Sequence, residues 1–275
     1  MAYQQIIGGG RMRLNTIYNE DCLEGMKRIP DGSVDLTVTS PPYDNLRSYN
    51  GNNEAWNQAF WKSVIEELYR VTKDGGVVVW IVGDATVKGS ETGTSFKQAL
   101  YFKEVGFNIH DTMIYRKTKY VPLTHNRYEQ AFEYMFVMSK GKPKTFNGVK
   151  EKTKHAGENT VRTFYQDANQ NLPTAGNTPT KVKETKLKSN VWDITPGVGA
   201  IKGHPAQFPL SLAEDHLISW SKEDDVILDP FMGSGTTAIA CLNTNRQYIG
   251  FELDETYHKL SLERIENHEQ QLSLI

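Results

Sequence analysis

Residues 77–82 read Val-Val-Val-Trp-Ile-Val, six apolar side chains without a polar interruption. A strand with water on one face would alternate, so this run needs cover on both faces, as in parallel sheets sandwiched between helices. Val34–Thr39 (VDLTVT), Val226–Leu228 and Tyr248–Phe251 share that short apolar character, and strand-like runs follow at Ile109–Tyr115 and Tyr134–Met138. Helical spacing fills the gaps. Trp56, Phe60, Val64 and Leu68 repeat within Trp56–Val71 before Asp74-Gly75-Gly76 breaks the chain. Further helices are expected at Phe96–Val105, Leu210–Trp220, Gly235–Leu242 and Tyr257–Ile265. Strands alternating with helices predict a doubly wound, mostly parallel α/β sheet.

From Lys140 to about Ser189 the periodicity fails, and the chain turns rich in Lys, Thr, Asn and Gly. Between residues 140 and 190 stand eleven positive side chains against four negative ones, a net +7 within a chain whose formal charge is −2. Basic charge gathered in one stretch suits a phosphate backbone, although a solvated loop has the same composition. The expected organisation is a catalytic half at 1–139, an insertion at 140–190 and a cofactor-binding half at 191–275.

The length of 275 residues fits one large domain with an insertion, and 38% hydrophobic with 23% charged residues is ordinary for a globular chain. No stretch approaches the roughly 18 apolar residues of a membrane span. The N-terminal residues lack the charged start and apolar core of a secretory signal. Two cysteines, Cys22 and Cys241, are too few for a metal cluster and read as free core thiols, so the cytoplasm is the expected compartment.

The sharpest local pattern is Val226-Ile-Leu-Asp229-Pro230-Phe231-Met-Gly233-Ser234-Gly235-Thr236-Thr237. An apolar strand runs into a glycine turn and then a helix of small residues, which lets backbone approach a ligand at the strand's carboxyl end. No lysine follows as in a phosphate-binding P-loop. The next strand ends at Glu252, where a carboxylate about 20 residues past the glycines suits the two hydroxyls of a ribose. On these residues alone NAD fits as well as any other adenosyl ligand.

A second pattern, Thr39-Ser40-Pro41-Pro42-Tyr43, closes the strand Val34–Thr39. An amine on an aromatic base is a poor nucleophile because its lone pair is delocalised into the ring. Acceptors aimed at its N–H bonds would relocalise that pair. A serine hydroxyl and a prolyl carbonyl can supply them, and a following aromatic can stack on a base swung out of the duplex. The same four residues would also serve as a proline-stiffened loop.

Together the two patterns resemble the amino-group DNA methyltransferases, which act on N4 of cytosine or N6 of adenine. His204-Pro205-Ala206-Gln207-Phe208-Pro209 resembles the family's cofactor motif ahead of the glycine turn, and Asn19-Glu20-Asp21-Cys22-Leu23 its N-terminal acidic motif. The order, catalytic motif before a basic variable segment before cofactor motifs, is that of the β group. The resemblance runs from Asn15 to Arg264, with only Lys140–Ser189 unmatched.

That resemblance implies a Rossmann-like class I methyltransferase fold with a basic target-recognition insertion, S-adenosyl-L-methionine as cofactor and no metal. It implies catalysis by Ser40, Pro41, Pro42 and Tyr43, with Tyr43 stacked on the flipped base. Cofactor contacts would come from Asp21, Cys22, His204, Pro205, Phe208, Pro209, Asp229, Pro230, Phe231, Gly233, Ser234, Gly235, Thr236, Glu252 and Leu253. Asp229, Phe231, Gly233 and Gly235 would wall the methionine part, Glu252 would take the ribose and Asp21 the adenine amine. DNA contacts would come from Arg47, Lys150, Lys152, Lys154, Arg162, Lys181, Lys183, Lys186 and Lys188. Asn159, Arg162, Gln166, Asn169 and Gln170 are candidate base readers.

Serine at the first motif position leans toward N4 of cytosine, because members acting on adenine more often carry Asp-Pro-Pro-Tyr. The implied partner is double-stranded DNA. A homodimer and a cognate restriction endonuclease acting on the same site are compatible with the resemblance. Other readings are RNA or a small amine as substrate, a nucleic-acid-binding module without catalysis, and an NAD-dependent dehydrogenase, which leaves Ser-Pro-Pro-Tyr unexplained.

Overall fold

The computed structural model describes residues 6–7, 12–43, 56–120, 126–160, 180–196 and 208–272. Arg47, Arg162, Gln166, Asn169, Gln170, His204 and Pro205 lie outside them. The chain divides into two compact units, residues 1–147 with 190–275, and residues 148–189.

The first unit is built on eight strands: β1 (Thr16–Tyr18), β2 (Val34–Thr39), β3 (Thr72–Val82), β4 (Asn108–Lys117), β5 (Phe132–Ser139), β6 (Val191–Ile194), β7 (Val226–Asp229) and β8 (Gln247–Phe251). Their order across the sheet is β6-β4-β5-β3-β2-β7-β8-β1. Every neighbouring pair is parallel except the two made by β5, so the sheet is mostly parallel with one reversed strand.

The uninterrupted run in β3 divides by strict alternation. Val78, Trp80 and Val82 enter one core with Val34, Leu228, Ile249 and Phe251, while Val77, Val79 and Ile81 enter the other with Leu36, Val38 and Ile227. On the first face pack α1 (Cys22–Met26), α2 (Gln58–Val71) and α3 (Thr94–Val105). On the second pack α4 (Leu210–Trp220), α5 (Thr236–Asn243) and α6 (Glu255–Leu272). Asn57 caps α2 by accepting from the Phe60 backbone N–H at 3.1 Å. Cys22 and Cys241 are buried free thiols.

The expected elements occur close to their read positions. β6 and β1 were not expected: both are short sheet neighbours whose pairing is parallel and distant in sequence. Strand β2 leads onward to β3 on one side, and β7 leads to β8 on the other, so the topology reverses between β2 and β7. Such a reversal opens a crevice at the carboxyl ends of the two strands.

The second unit pairs residues 150–152 with 185–187 and 159–160 with 180–181, both antiparallel. Backbone bonds Thr153 N to Glu184 O (2.8 Å) and Val182 N to Glu158 O (2.9 Å) join the two ladders. Every described residue of these strands is exposed. Lys140, Lys142 and Lys144 belong to the first unit instead, and Lys140 Nζ donates to the carbonyls of Tyr69 (2.8 Å) and Thr72 (3.0 Å). No helix among the described residues is long and apolar enough to cross a membrane.

Candidate active site

A cavity opens at the carboxyl ends of β2, β7 and β8. Of the residues singled out in the sequence, Asp21, Cys22, Ser40, Pro42, Phe208, Pro230, Phe231, Gly233, Ser234, Thr236, Glu252 and Leu253 line it. Pro41, Tyr43, Pro209, Asp229 and Gly235 are described but do not.

Asp229 explains how the two motifs come together. Its side chain is 1% exposed and turns into the sheet. Oδ1 accepts from Thr39 Oγ1 (2.6 Å) and from the Phe231 N–H (3.0 Å), and Oδ2 accepts from Thr237 Oγ1 (2.6 Å). One carboxylate thus ties the end of β2, the turn after β7 and the first residues of α5. Burial raises its carboxyl to about 6 against the pull of those donors. Asp229 therefore holds the cavity's frame without forming its wall.

The turn that follows depends on left-handed glycines, Gly233 at φ 55° and Gly235 at φ 82°. A Cβ on Gly235 would also sit 3.2 Å from the Ser261 side chain. Met232 N–H donates to Phe251 O at 2.9 Å, and Gly233 N–H donates to Glu252 Oε2 at 2.8 Å. Glu252 Oε1 accepts from the Asp254 N–H at 2.8 Å. Each Glu252 oxygen keeps a second lone pair, so the group can still receive two hydroxyl donors. Burial is the main reason its carboxyl is raised to about 7.

At the N-terminal edge, Asp21 Oδ1 caps α1 through Leu23 N (2.8 Å) and Glu24 N (3.3 Å). Asn19 Nδ2 donates to the carbonyls of Glu252 (2.9 Å) and Leu253 (3.2 Å), which fastens this motif to the end of β8. Burial pushes the Cys22 thiol far up, so it is no nucleophile at neutral pH.

After β2, Ser40 Oγ donates to the Tyr43 hydroxyl at 2.9 Å, and that hydroxyl donates to Glu133 Oε2 at 2.8 Å. Tyr43 is buried, with its hydroxyl turned to this chain of bonds, and its side chain does not line the cavity.

Sequence reasoning missed Glu20, Trp56, Phe60, Met232, Phe251, Asp254 and Tyr257, which also line the cavity. Trp56 and Phe60 were read as a helix core face; Trp56 instead precedes the Asn57 cap, Phe60 lies in the first turn of α2, and both meet the cavity. The Trp56 ring packs edge-on against Phe231 (5.3 Å between centroids) and Phe60 (5.9 Å). Its buried Nε1 has no hydrogen-bond partner among the described residues. Arg264, also missed, donates to Ser234 O (3.1 Å) and Thr236 Oγ1 (3.0 Å) and so braces the glycine turn from α6.

In the second unit Lys150, Lys152, Lys154, Lys181, Lys183 and Lys186 are exposed and Lys188 is half-buried. Lys186 pairs with Glu151 at 3.0 Å. Asn159 is exposed on its short strand.

Comparison with known proteins agrees with this geometry. The family model described as DNA methylase, of the N6 and N4 type, matches residues 34–263. The orphan methyltransferase M.BamHII of Bacillus amyloliquefaciens is 48% identical over 88% of this chain and 92% of its own length. The DNA adenine methyltransferase YhdJ of Escherichia coli K12 is 28% identical over 91% of this chain and 82% of its own. A Thermus thermophilus protein, a DNA modification methylase by description, was solved in complex with S-adenosyl-L-methionine. It superposes with a TM-score of 0.62 at 27% identity, covering 92% of this chain and 95% of that one. The chain belongs to the N6/N4 DNA methylase family and is an S-adenosylmethionine-dependent DNA methyltransferase.

Proposed function

We propose that the protein methylates the exocyclic N4 amine of cytosine in a flipped-out base of double-stranded DNA. The observation that carries this reading is Ser40, a neutral hydroxyl on the wall of the cavity that also holds Glu252 and the aromatic pair Trp56 and Phe231.

The cavity suits an adenosyl group. It offers aromatic walls, a buried carboxylate with spare lone pairs and an indole N–H unpartnered among the described residues. Glu252 would hold the ribose hydroxyls and Asp21 the adenine amine, with Phe208, Pro230, Phe231, Gly233, Ser234, Thr236 and Leu253 around them. When bound, S-adenosylmethionine supplies a methyl group already activated on a sulfonium. Ser40 Oγ and the Pro41 carbonyl accept the two hydrogens of the target amine and orient its lone pair. Phe231, Trp56 and Phe60 exclude water around it. Positioning and desolvation carry the rate, and effective concentrations of this kind supply about 7 kcal/mol or more.

The lysines of residues 148–189 serve as the target-recognition contact to phosphates, with Asn159 among the base readers. Arg47, Arg162, His204 and Pro205 keep the roles the resemblance gives them. The Bacillus amyloliquefaciens relative is an orphan methyltransferase, which favours action without a dedicated endonuclease. A double-stranded DNA substrate supports the cytoplasm as the enzyme's compartment. N6 of adenine is the second reading, favoured by the name of the Escherichia coli relative.

The test is transfer of a tritiated methyl group from the cofactor to unmethylated genomic DNA, followed by digestion and identification of the labelled nucleoside. N4-methylcytosine is expected. N6-methyladenine would overturn the base assignment and leave the chemistry. Label in RNA and none in DNA would overturn the substrate.

A further inference from the structure

The serine that faces the cavity could present either its proton or its lone pairs to an incoming group, and only the second helps an amine. The bonds behind it decide which. Glu133 lies at the start of β5, paired in register with Tyr115, and Lys117 stands two residues further along β4 on the same face. Lys117 Nζ contacts Glu133 Oε1 at 2.7 Å, and the two side chains are 21% and 10% exposed.

An ammonium has donors alone, so an ionised Glu133 beside Lys117 can only accept from its other neighbour. Tyr43 must then spend its single proton on Glu133 Oε2, which leaves its oxygen as an acceptor. Ser40 in turn spends its proton on Tyr43. Toward the cavity the Ser40 oxygen is left with lone pairs only.

We propose that Glu133 and Lys117 are positioning residues that fix the Ser40 hydroxyl as a hydrogen-bond acceptor for the target amine. This rests on the reading of Ser40 given above. It explains how a neutral serine, on a strand end next to two prolines, performs the role that a carboxylate would perform without assistance: a carboxylate is an acceptor from every direction. Neither Glu133 nor Lys117 lines the cavity.

Glu133→Gln tests it, because a carboxamide can donate to Tyr43 and reverse the whole chain of protons. Single-turnover methyl transfer to DNA should fall about 10- to 100-fold, less than the roughly 100- to 1000-fold that loss of a directly contacting donor costs, while cofactor affinity stays within twofold of wild type. The same substitution in a Ser40→Ala background should cost less than about twofold, since the route to the amine is already gone. Tyr43→Phe supplies a second arm if Glu133→Gln lowers the melting temperature enough to obscure the rate, and it too should lose its effect beside Ser40→Ala. Wild-type rates in Glu133→Gln, or an equal loss with and without Ser40, would overturn the proposal. A wild-type enzyme that binds cofactor but labels no DNA would overturn the reading of Ser40 itself.

Discussion

The two units of this protein handle charge in opposite ways. In the first, Asp229 is buried with three donors on its two oxygens, and Glu252 is held by two backbone N–H groups at the cavity wall. In the second, the lysines stand on exposed ladders, and no described residue of 148–189 is buried. A buried charge fixes a frame because each missing partner leaves an unsatisfied group in a low dielectric. An exposed charge fixes nothing and is free to meet a polyanion. The first unit thereby gains a fixed frame, and the second keeps its charges adaptable.

The contrast is sharpest at Asp229. Asp229→Ala leaves Thr39, Thr237 and the Phe231 N–H without their acceptor, and a loss of about 3 kcal/mol of folding stability is expected. Asp229→Asn keeps Oδ1 for Thr39 and Phe231, while its amide can donate to the Thr237 hydroxyl, so a loss below about 1 kcal/mol is expected. Denaturant melts of the two variants check this. Equal losses would mean that the frame depends on the charge and not on the satisfied bonds.

Glu252 comes next in size. Its carboxyl is raised to about 7, so the charged form, which the proposed function sets against two ribose hydroxyls, is depleted as pH falls through 7. Cofactor affinity should therefore weaken from pH 8.5 to pH 6. Glu252→Gln should bind about tenfold more weakly at pH 8.5 and lose most of that pH dependence. Calorimetric titration at both pH values reads both. In the free protein the linkage has the opposite sign. The ordinary values are 3.8 for Asp229 and 4.5 for Glu252, and the folded ones lie higher. Their contribution to stability is full below about pH 4 and is lost as pH rises through about 6 and 7.

How much of this was legible follows the same division between local and distant causes. Gly233-Ser234-Gly235 and Ser40-Pro41-Pro42 were readable because turn chemistry is decided by neighbouring residues. β3 was readable because a strand covered on both faces needs no polar alternation. Glu133 was not, since its partners Lys117 and Tyr43 reach it only through the register of β4 against β5 and the end of β2. Trp56 and Phe60 carried a helical signal that states which face is apolar but not whether it meets core or cavity. The inward turn of Asp229 was equally hidden, because a carboxylate after a strand reads the same whether it faces ligand or sheet.

The smallest expected effect on folding lies in the second unit, and it is also the one that separates its role from the first. Lys152 and Lys183 are exposed, and neither has a salt-bridge partner among the described residues. Changing both to Gln should move stability by less than about 0.5 kcal/mol, the usual range for surface positions. DNA affinity should nonetheless fall, and the slope of log affinity against log salt should flatten by about 0.9 for each phosphate contact removed. The rate from the preformed complex should remain that of wild type, because nothing at Ser40 or Glu252 has changed. Filter binding from 50 to 200 mM salt, paired with single-turnover transfer at saturating enzyme, distinguishes the outcomes. An unchanged slope would remove these two lysines from the DNA contact, whereas a changed transfer rate at saturation would show that charge in residues 148–189 reaches the chemistry, and the division drawn between the two units would then fail.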